Sequence, residues 1–483
     1  MKHAIIRSSC LLALIVAGRV LVAQDAVEPR LLKGWQTISP QHALADVQKL
    51  AGKEFGGRFT GHPQYTAAAR WAAGQFRSWG LKPIDPKQGY LQPYASPYSV
   101  IDEAKLTITV GGKTLVPAIP RDFMPLLFSD TGSASGGVVF AGWGIHAPDL
   151  GYDDYADLDV KGKFVVCFRG TPDGDAKWTN HDEHRTRMKV AHERGALGIV
   201  YIYPEVLAHP NGDLIRGFHP AMISETMGEA ILAERNVAVA ALKKQMRDTK
   251  KPVSMPLGAR FDLIVKARHV PDAIGYNIAA YVEGTDAALT HECVVLGAHF
   301  DGVGEHLGIL FPGADDNASG SAVVMEAAEA FAANGERPKR SVLFVLFGGE
   351  EQGIKGSAYF VEHLPAPFTK VTAMVNFDME GVGDKASASV SAPLEDTRAL
   401  LQQADSGLGI LTRIGVTKSV GVRSGDIGPF FAKGFPVASF FSSGPRPAFS
   451  YHLPGDSIDI IHGDIMANIA RVAYRYAFQL ADR

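Results

Sequence analysis

Three cysteines in 483 residues, Cys10, Cys167 and Cys293, are too few for the disulfide framework on which small secreted domains depend. Cys10 falls in an N-terminal apolar run, while Cys167 and Cys293 sit in two separate strand-like runs and read as independent buried thiols. Net charge is equally scarce. Lys and Arg number 48 against 51 Asp and Glu, a formal charge of -3, so no global basic field exists to hold nucleic acid or an anionic membrane. Beyond the first residues no run resembles a membrane span, and no internal repeat or long low-complexity linker is visible. Three catalytic signatures are missing as well: an H-E-x-x-H zinc helix, a G-x-S-x-G nucleophile elbow and a G-x-x-x-x-G-K-[ST] phosphate loop, since the GGKT at 111–114 lacks its leading glycine. What remains is ordinary globular composition, 46% hydrophobic and 20% charged, with enough length for two or three cored domains.

The chain opens with Lys2, His3 and Arg7, an apolar run over 10–17 and small residues near Ala23 and Ala26. That order predicts a signal peptide at 1–25 and a periplasmic or secreted protein with no membrane association beyond it. Apolar residues three and four apart predict an amphipathic helix over 65–79, stopped by Gly80. From Pro93 the texture changes to short alternating runs with many turn residues, among them LTITVGGKTLV at 106–116 and GGVVFAGWG at 136–144. A helix over 185–194 is the exception in this β-rich module, which is expected to occupy 94–264. From Asn277 onward strand, loop and helix alternate, which predicts an α/β sheet layered by helices. The early helix lacks a core of its own, so it is expected to pack on that sheet, joining 26–93 to 265–483 and leaving the β-rich module as an insertion.

In open α/β sheets ligands gather beyond the carboxyl ends of the strands. CVVLGA runs into His299, SVLFVLFGG into Glu350 and Glu351, and VTAMVNF into Asp378. Each alone reads as a turn, a cap or a solvated face; their repetition at successive strand ends points to a site. Asp315, Asp316 and Asn317 precede a predicted helix, where a helix cap is the competing reading, and His452 lies in the loop AFSYHLPGDS. Together these residues offer two imidazoles and three carboxylates, a set suited to zinc. Three carboxylates and a hydroxide balance two Zn²⁺ ions, whereas one ion would leave the cluster strongly anionic. The histidines of HDEH at 181–184 could share a helix face, but a polar surface segment of the β-rich module is the expected account.

Five ordered blocks, GAHFD at 297–301, GADDNASG at 313–320, FGGEEQGIKGS at 347–357, NFDM at 376–379 and YHLPGDS at 451–457, resemble the co-catalytic zinc peptidases. That family includes bacterial leucyl aminopeptidases, glutamate carboxypeptidase and the transferrin receptor. FGGRFTGHPQY at 55–65 resembles the family's N-terminal motif, and 142–166 resembles the protease-associated domain inserted in many members. The resemblance implies an α/β three-layer sandwich of a mixed sheet with helices on both faces, plus the inserted β-rich protease-associated domain at 94–264.

It also implies two Zn²⁺ per chain, with Asp316 bridging, His299 and Asp378 completing one site, and Glu351 and His452 the other. Glu350 matches the general base, and Asp301 a carboxylate that orients His299. Where many relatives carry Ser-Asp-His before Pro-Phe, this chain has Gly425, Asp426 and Ile427 before Gly428, Pro429 and Phe430. A tyrosine that some members place upstream aligns with Val422, which leaves Tyr451 as the candidate oxyanion stabiliser. The activity implied is removal of N-terminal residues from peptides by an exported aminopeptidase. A carboxypeptidase or other amide hydrolase, for which Arg423 and Arg446 would bind a carboxylate, is the alternative. The intact ligand set argues against a non-catalytic receptor, and the insertion argues against a glutaminyl cyclase.

Overall fold

The computed structural model describes residues 27–421, 424–445 and 450–483; the expected leader, Val422, Arg423 and Arg446 lie outside the described residues. The chain divides into two compact units. One takes in the chain up to Ser96 with Ala273–Gly304 and Phe311–Arg483, and the other takes in Pro97–Asp272 with Glu305–Leu310.

The first unit is built on a mixed nine-stranded sheet. At its centre the parallel strands Ser341–Phe347, Glu292–His299, Lys370–Phe377 and Val437–Ser443 lie side by side. Ile274–Val282 pairs antiparallel on one flank and Lys385–Ser391 on the other. The central strands read as unbroken apolar runs because both of their faces are covered. Val294, Leu296, Ala298, Val342, Phe344 and Leu346 enter one core, and Cys293, Val295, Leu343, Val345 and Phe347 enter a second. Helix Gly320–Ala333 contributes to the first core and Phe360 of helix Lys355–Glu362 to the second. This division follows from right-handed crossovers. The chain leaves Glu292–His299 toward one side of the sheet and returns past it to Lys370–Phe377 on the other, so successive helices fall on opposite faces.

The early helix spans Pro63–Ser78 and packs Tyr65, Ala68, Ala69, Ala72 and Phe76 into the first core, on the sheet where the sequence reading put it. Small alanines let its backbone lie close to the strands. Against helices Gly320–Ala333 and Gly463–Asp482 packs Pro40–Leu50, started by Ser39, whose hydroxyl accepts the N–H groups of Gln41 and His42. The closing helix Gly463–Asp482 buries nearly its whole length in the same core.

The second unit holds an eight-stranded sheet in which the long strands Tyr98–Val110 and Ser254–Val270 pair antiparallel. Three helices, His184–Glu193, Glu225–Leu232 and Val239–Thr249, accompany it, so it carries more helix than its alternating sequence texture suggests. Cys167 is buried in this unit and Cys293 in the first, both as free thiols, and burial pushes the Cys167 thiol up to about 12.

The HDEH segment departs from expectation. His181 stays near the surface beside Asp149, 3.2 Å away, but His184 is buried, with the rings of Tyr201 and His209 edge-on at 4.9 and 4.3 Å. Extended Glu183 separates the short helix Thr179–Asp182 from the one His184 opens, so the two histidines share no helix face. Burial holds the His184 imidazole well below its ordinary pKa, as a neutral core group. No helix among the described residues is long and apolar enough to cross a membrane.

Candidate metal centre

Register places the carboxyl ends of the central strands level with one another: His299 pairs with Phe347, and Gly297 with Asn376. After Glu292–His299 and after its neighbour Lys370–Phe377 the chain departs in opposite directions, which opens a crevice between them. His299 stands on one lip and Asp378 on the other, with His299 Nε2 3.4 Å from Asp378 Oδ1.

Asp316 lies between the two histidines. Its Oδ1 is 3.1 Å from His299 Nε2 and its Oδ2 is 3.3 Å from His452 Nε2. Glu351 approaches the same His452 nitrogen at 2.9 and 3.0 Å. Ligand atoms of His299, Asp316 and Glu351 all lie within 4.8 Å of one another. Each imidazole therefore faces two carboxylates, and the five predicted ligands are brought together. Burial pushes the His452 imidazole down, but Glu351 and Asp316 outweigh it and raise it well above its ordinary value; Asp378 and Asp316 do the same for His299. A surrounding that draws positive charge to Nε2 so strongly also fits a divalent cation, and imidazole with carboxylate is a zinc donor set.

The segments that carry the ligands are pinned by further buried polar groups. Both oxygens of Asp301 accept backbone N–H groups, Oδ1 from Glu350 at 3.2 Å and Oδ2 from Glu351 at 3.3 Å. The partner of His299 Nδ1 is the Asp301 carbonyl oxygen, at 3.2 Å, while the nearer carboxylate oxygen is 3.8 Å away. The residue expected to orient His299 thus meets it through its backbone, and its side chain fixes the Glu350–Glu351 turn.

Asp456, which the sequence reading passed over, holds the N–H groups of Asp315 and Asp316 at 2.7 and 3.0 Å. Asp315 accepts the Gly381 N–H at 2.8 Å. The capping role open to this segment falls to Asn317, whose Oδ1 accepts the Gly320 N–H at 2.9 Å and whose Nδ2 donates to the Phe377 carbonyl. The signal for Asp456 was its place in YHLPGDS, four residues after His452.

Glu350 is half-buried at the edge of the cluster. Burial raises its carboxyl well above the usual range, with Glu351, Asp426 and Asp378 adding to the rise and His299 opposing it. Asp426, the aspartate of the Gly-Asp-Ile trio, is buried with no hydrogen-bond partner for either oxygen among the described residues, and burial lifts it to about 6. Tyr451 stacks on His452 with centroids 4.0 Å apart and planes 15° from parallel, yet stays 47% exposed. The arginines considered for carboxylate binding, Arg423 and Arg446, lie outside the described residues.

Residues 277–477 match Peptidase family M28. Over 175 residues, 35% of this chain and 36% of that protein, the sequence is 34% identical to leupeptin-inactivating enzyme 1 of Streptomyces exfoliatus. Over 374 residues it is 25% identical to an aminopeptidase of Pseudomonas aeruginosa, covering 76% of this chain and 61% of that one. The chain therefore spans less than two thirds of the length of these relatives. Among solved structures, a peptidase M28 precursor from Shewanella amazonensis superposes with a TM-score of 0.67 at 21% identity, over 96% of this chain and 98% of that one. An aminopeptidase from Aneurinibacillus sp. strain AM-1 gives 0.65 at 20% identity, over 93% and 95%. At these identities the likeness concerns the fold, a mixed α/β architecture.

Proposed function

We propose, from the match of residues 277–477 to peptidase family M28, that the chain is an exported zinc aminopeptidase working through two ions per chain. The observation that carries this reading is Asp316, which turns one carboxylate oxygen toward each histidine. His299, Asp316 and Asp378 would hold one zinc, and Glu351, Asp316 and His452 the other. The chemistry such ions would supply is polarisation of a carbonyl and an attacking water whose pKa falls toward about 7.

Glu350 takes the proton from that water and returns it to the leaving amine. Asp301, gripping the N–H groups of Glu350 and Glu351, keeps the base and the neighbouring ligand in fixed relation. The exposed Tyr451 hydroxyl is the donor to the developing oxyanion, its ring steadied by stacking on His452. Of the acids acting on Glu350, Asp378 and Glu351 would be balanced by the ions, which leaves Asp426 as a further buried acid beside it, a surplus that suits the α-ammonium of a peptide better than its α-carboxylate.

N-terminal acetylation of a good peptide substrate should therefore nearly abolish turnover, while C-terminal amidation should leave it intact. The reverse pattern would identify a carboxypeptidase. Side by side, the two cores that alternate along the central strands support a three-layer sandwich for the catalytic unit. The second unit, bounded at Pro97 and Asp272, is read as the inserted protease-associated domain. Export predicts a mature N-terminus near residues 24 to 27; cytoplasmic protein that still carries Met1 would refute it.

A further inference from the structure

Arg58 is fully buried and forms no ion pair among the described residues, the charges of Asp456, Asp301, Asp316 and Glu351 acting on it without contact. Its guanidinium donates only to backbone carbonyls: Nε to Phe300 at 2.8 Å, Nη1 to Leu50 at 2.8 Å and to Pro312 at 3.0 Å, and Nη2 to Gly313 at 2.7 Å. Phe300 sits between His299 and Asp301, and Gly313 lies three residues before Asp316. One rigid fork thus ties the segment that presents the first histidine to the segment that presents the bridging carboxylate. The backbone reinforces the tie, because the Arg58 carbonyl accepts the Gly302 N–H at 3.2 Å.

The chain accepts unusual backbone conformation to put the fork there. Gly56, Gly57 and Arg58 all have positive φ, of 52°, 69° and 51°, and a Cβ on Gly57 would lie 2.5 Å from the Phe311 carbonyl oxygen. Burying a cation without a contacting anion is costly, and neutral donors could join two loops. Four divergent carbonyls, however, match the planar spread of donors that only arginine offers. The Asp316 end has a second anchor, since Asp456 holds the Asp315 and Asp316 N–H groups from the segment that carries His452. On the His299 side Arg58 acts beside Ser321, whose hydroxyl donates to the His299 carbonyl at 2.9 Å.

We propose that Arg58 is a positioning residue of the metal centre: by fixing the Phe300 carbonyl against the Gly313 carbonyl it sets the spacing of His299 and Asp316, and so the affinity of the ion held by His299, Asp316 and Asp378. This rests on the two-zinc reading above.

The test is stepwise zinc binding to metal-depleted full-length protein, followed by competition with a chromophoric chelator, for the parent, Arg58→Lys and Arg58→Met. Lysine keeps the charge but not the fork; methionine keeps bulk alone. In both variants one ion should weaken by about 10- to 100-fold, the usual effect of losing a group that orients metal ligands, while the other moves by less than about threefold. Adding Asp378→Asn to Arg58→Lys should then weaken binding far less than it does in the parent, because both changes act on one site. Circular dichroism and the melting temperature separate folding from binding, and if the methionine variant does not fold, the lysine variant decides. Lower melting temperature with both zinc affinities unchanged, or equal weakening of both ions, would overturn the proposal. A parent protein that binds one zinc would instead overturn the two-metal reading.

Discussion

Replacing Glu350 by glutamine is expected to lower kcat by about 10²- to 10⁴-fold, roughly 3–5 kcal/mol of transition-state stabilisation, with both zinc ions retained. Glutamine keeps the volume and the hydrogen-bonding reach of the side chain and removes only its capacity to take a proton. The backbone is untouched, so the bond from the Glu350 N–H to Asp301 survives. The next residue should behave oppositely. Glu351 lies within 3.0 Å of His452 Nε2 through both oxygens, and Glu351→Gln withdraws a charged ligand from one ion, so zinc content should fall along with the rate. Steady-state kinetics and metal analysis on the two variants give the comparison. Zinc lost from the first and kept by the second would mean the pair is assigned in the wrong order; two fully active variants would reduce the pair to surface acids.

The second large effect belongs to Asp316. Asp316→Asn should release both ions and leave no more activity than exhaustive chelation leaves in the parent, because one carboxylate oxygen serves each histidine and, among the described residues, no other carboxylate is paired with both. Its neighbour provides the control. Asp315 binds the Gly381 N–H through its Oδ1, so Asp315→Asn should keep two zincs per chain even where it costs stability. Metal content is read by elemental analysis after gel filtration, and reading folded protein only keeps the result independent of yield. Two ions retained by Asp316→Asn would end the bridging assignment, and one tight ion with full activity in the parent would end the two-metal mechanism.

Three of the candidate ligands, His299, Glu351 and Asp378, were legible because each follows a run whose pattern announces a strand end, whereas Asp316 and His452 entered only through their motifs. CVVLGA before His299 and VTAMVNF before Asp378 are apolar on both faces, and such runs predict where side chains emerge from a sheet. The early helix was legible through its period, and its partner through the lack of any other core. Other features depend on contacts that no local pattern encodes. Asp301 has the sequence spacing of a group that orients His299, but its carboxylate bonds the Glu350–Glu351 turn because a distant strand ends beside it in the sheet. Asp456 reaches back to Asp315, and Arg58 to Phe300 and Gly313, across separations that only the fold closes. His184 was misread for a related reason: HDEH looks polar in isolation, and only the break at Glu183 turns its last member inward, toward Tyr201.

The order of the two units along the chain bears on how the protein is made. The helix Pro63–Ser78 completes the first core, yet the long strand it covers begins only at Ile274, after Pro97–Asp272 of the second unit has been synthesised. A chain emerging from the ribosome therefore carries an apolar helix face with nothing to cover it while the second unit, whose strands pair among themselves, is already free to fold. The first core forms last, from segments separated by an entire folded body. Loop-closure entropy grows only slowly with length, so the detour costs little stability, but the wait leaves apolar surface open to wrong partners during synthesis. A chain held unfolded until it has crossed a membrane avoids that interval, because both segments then become available at the same time.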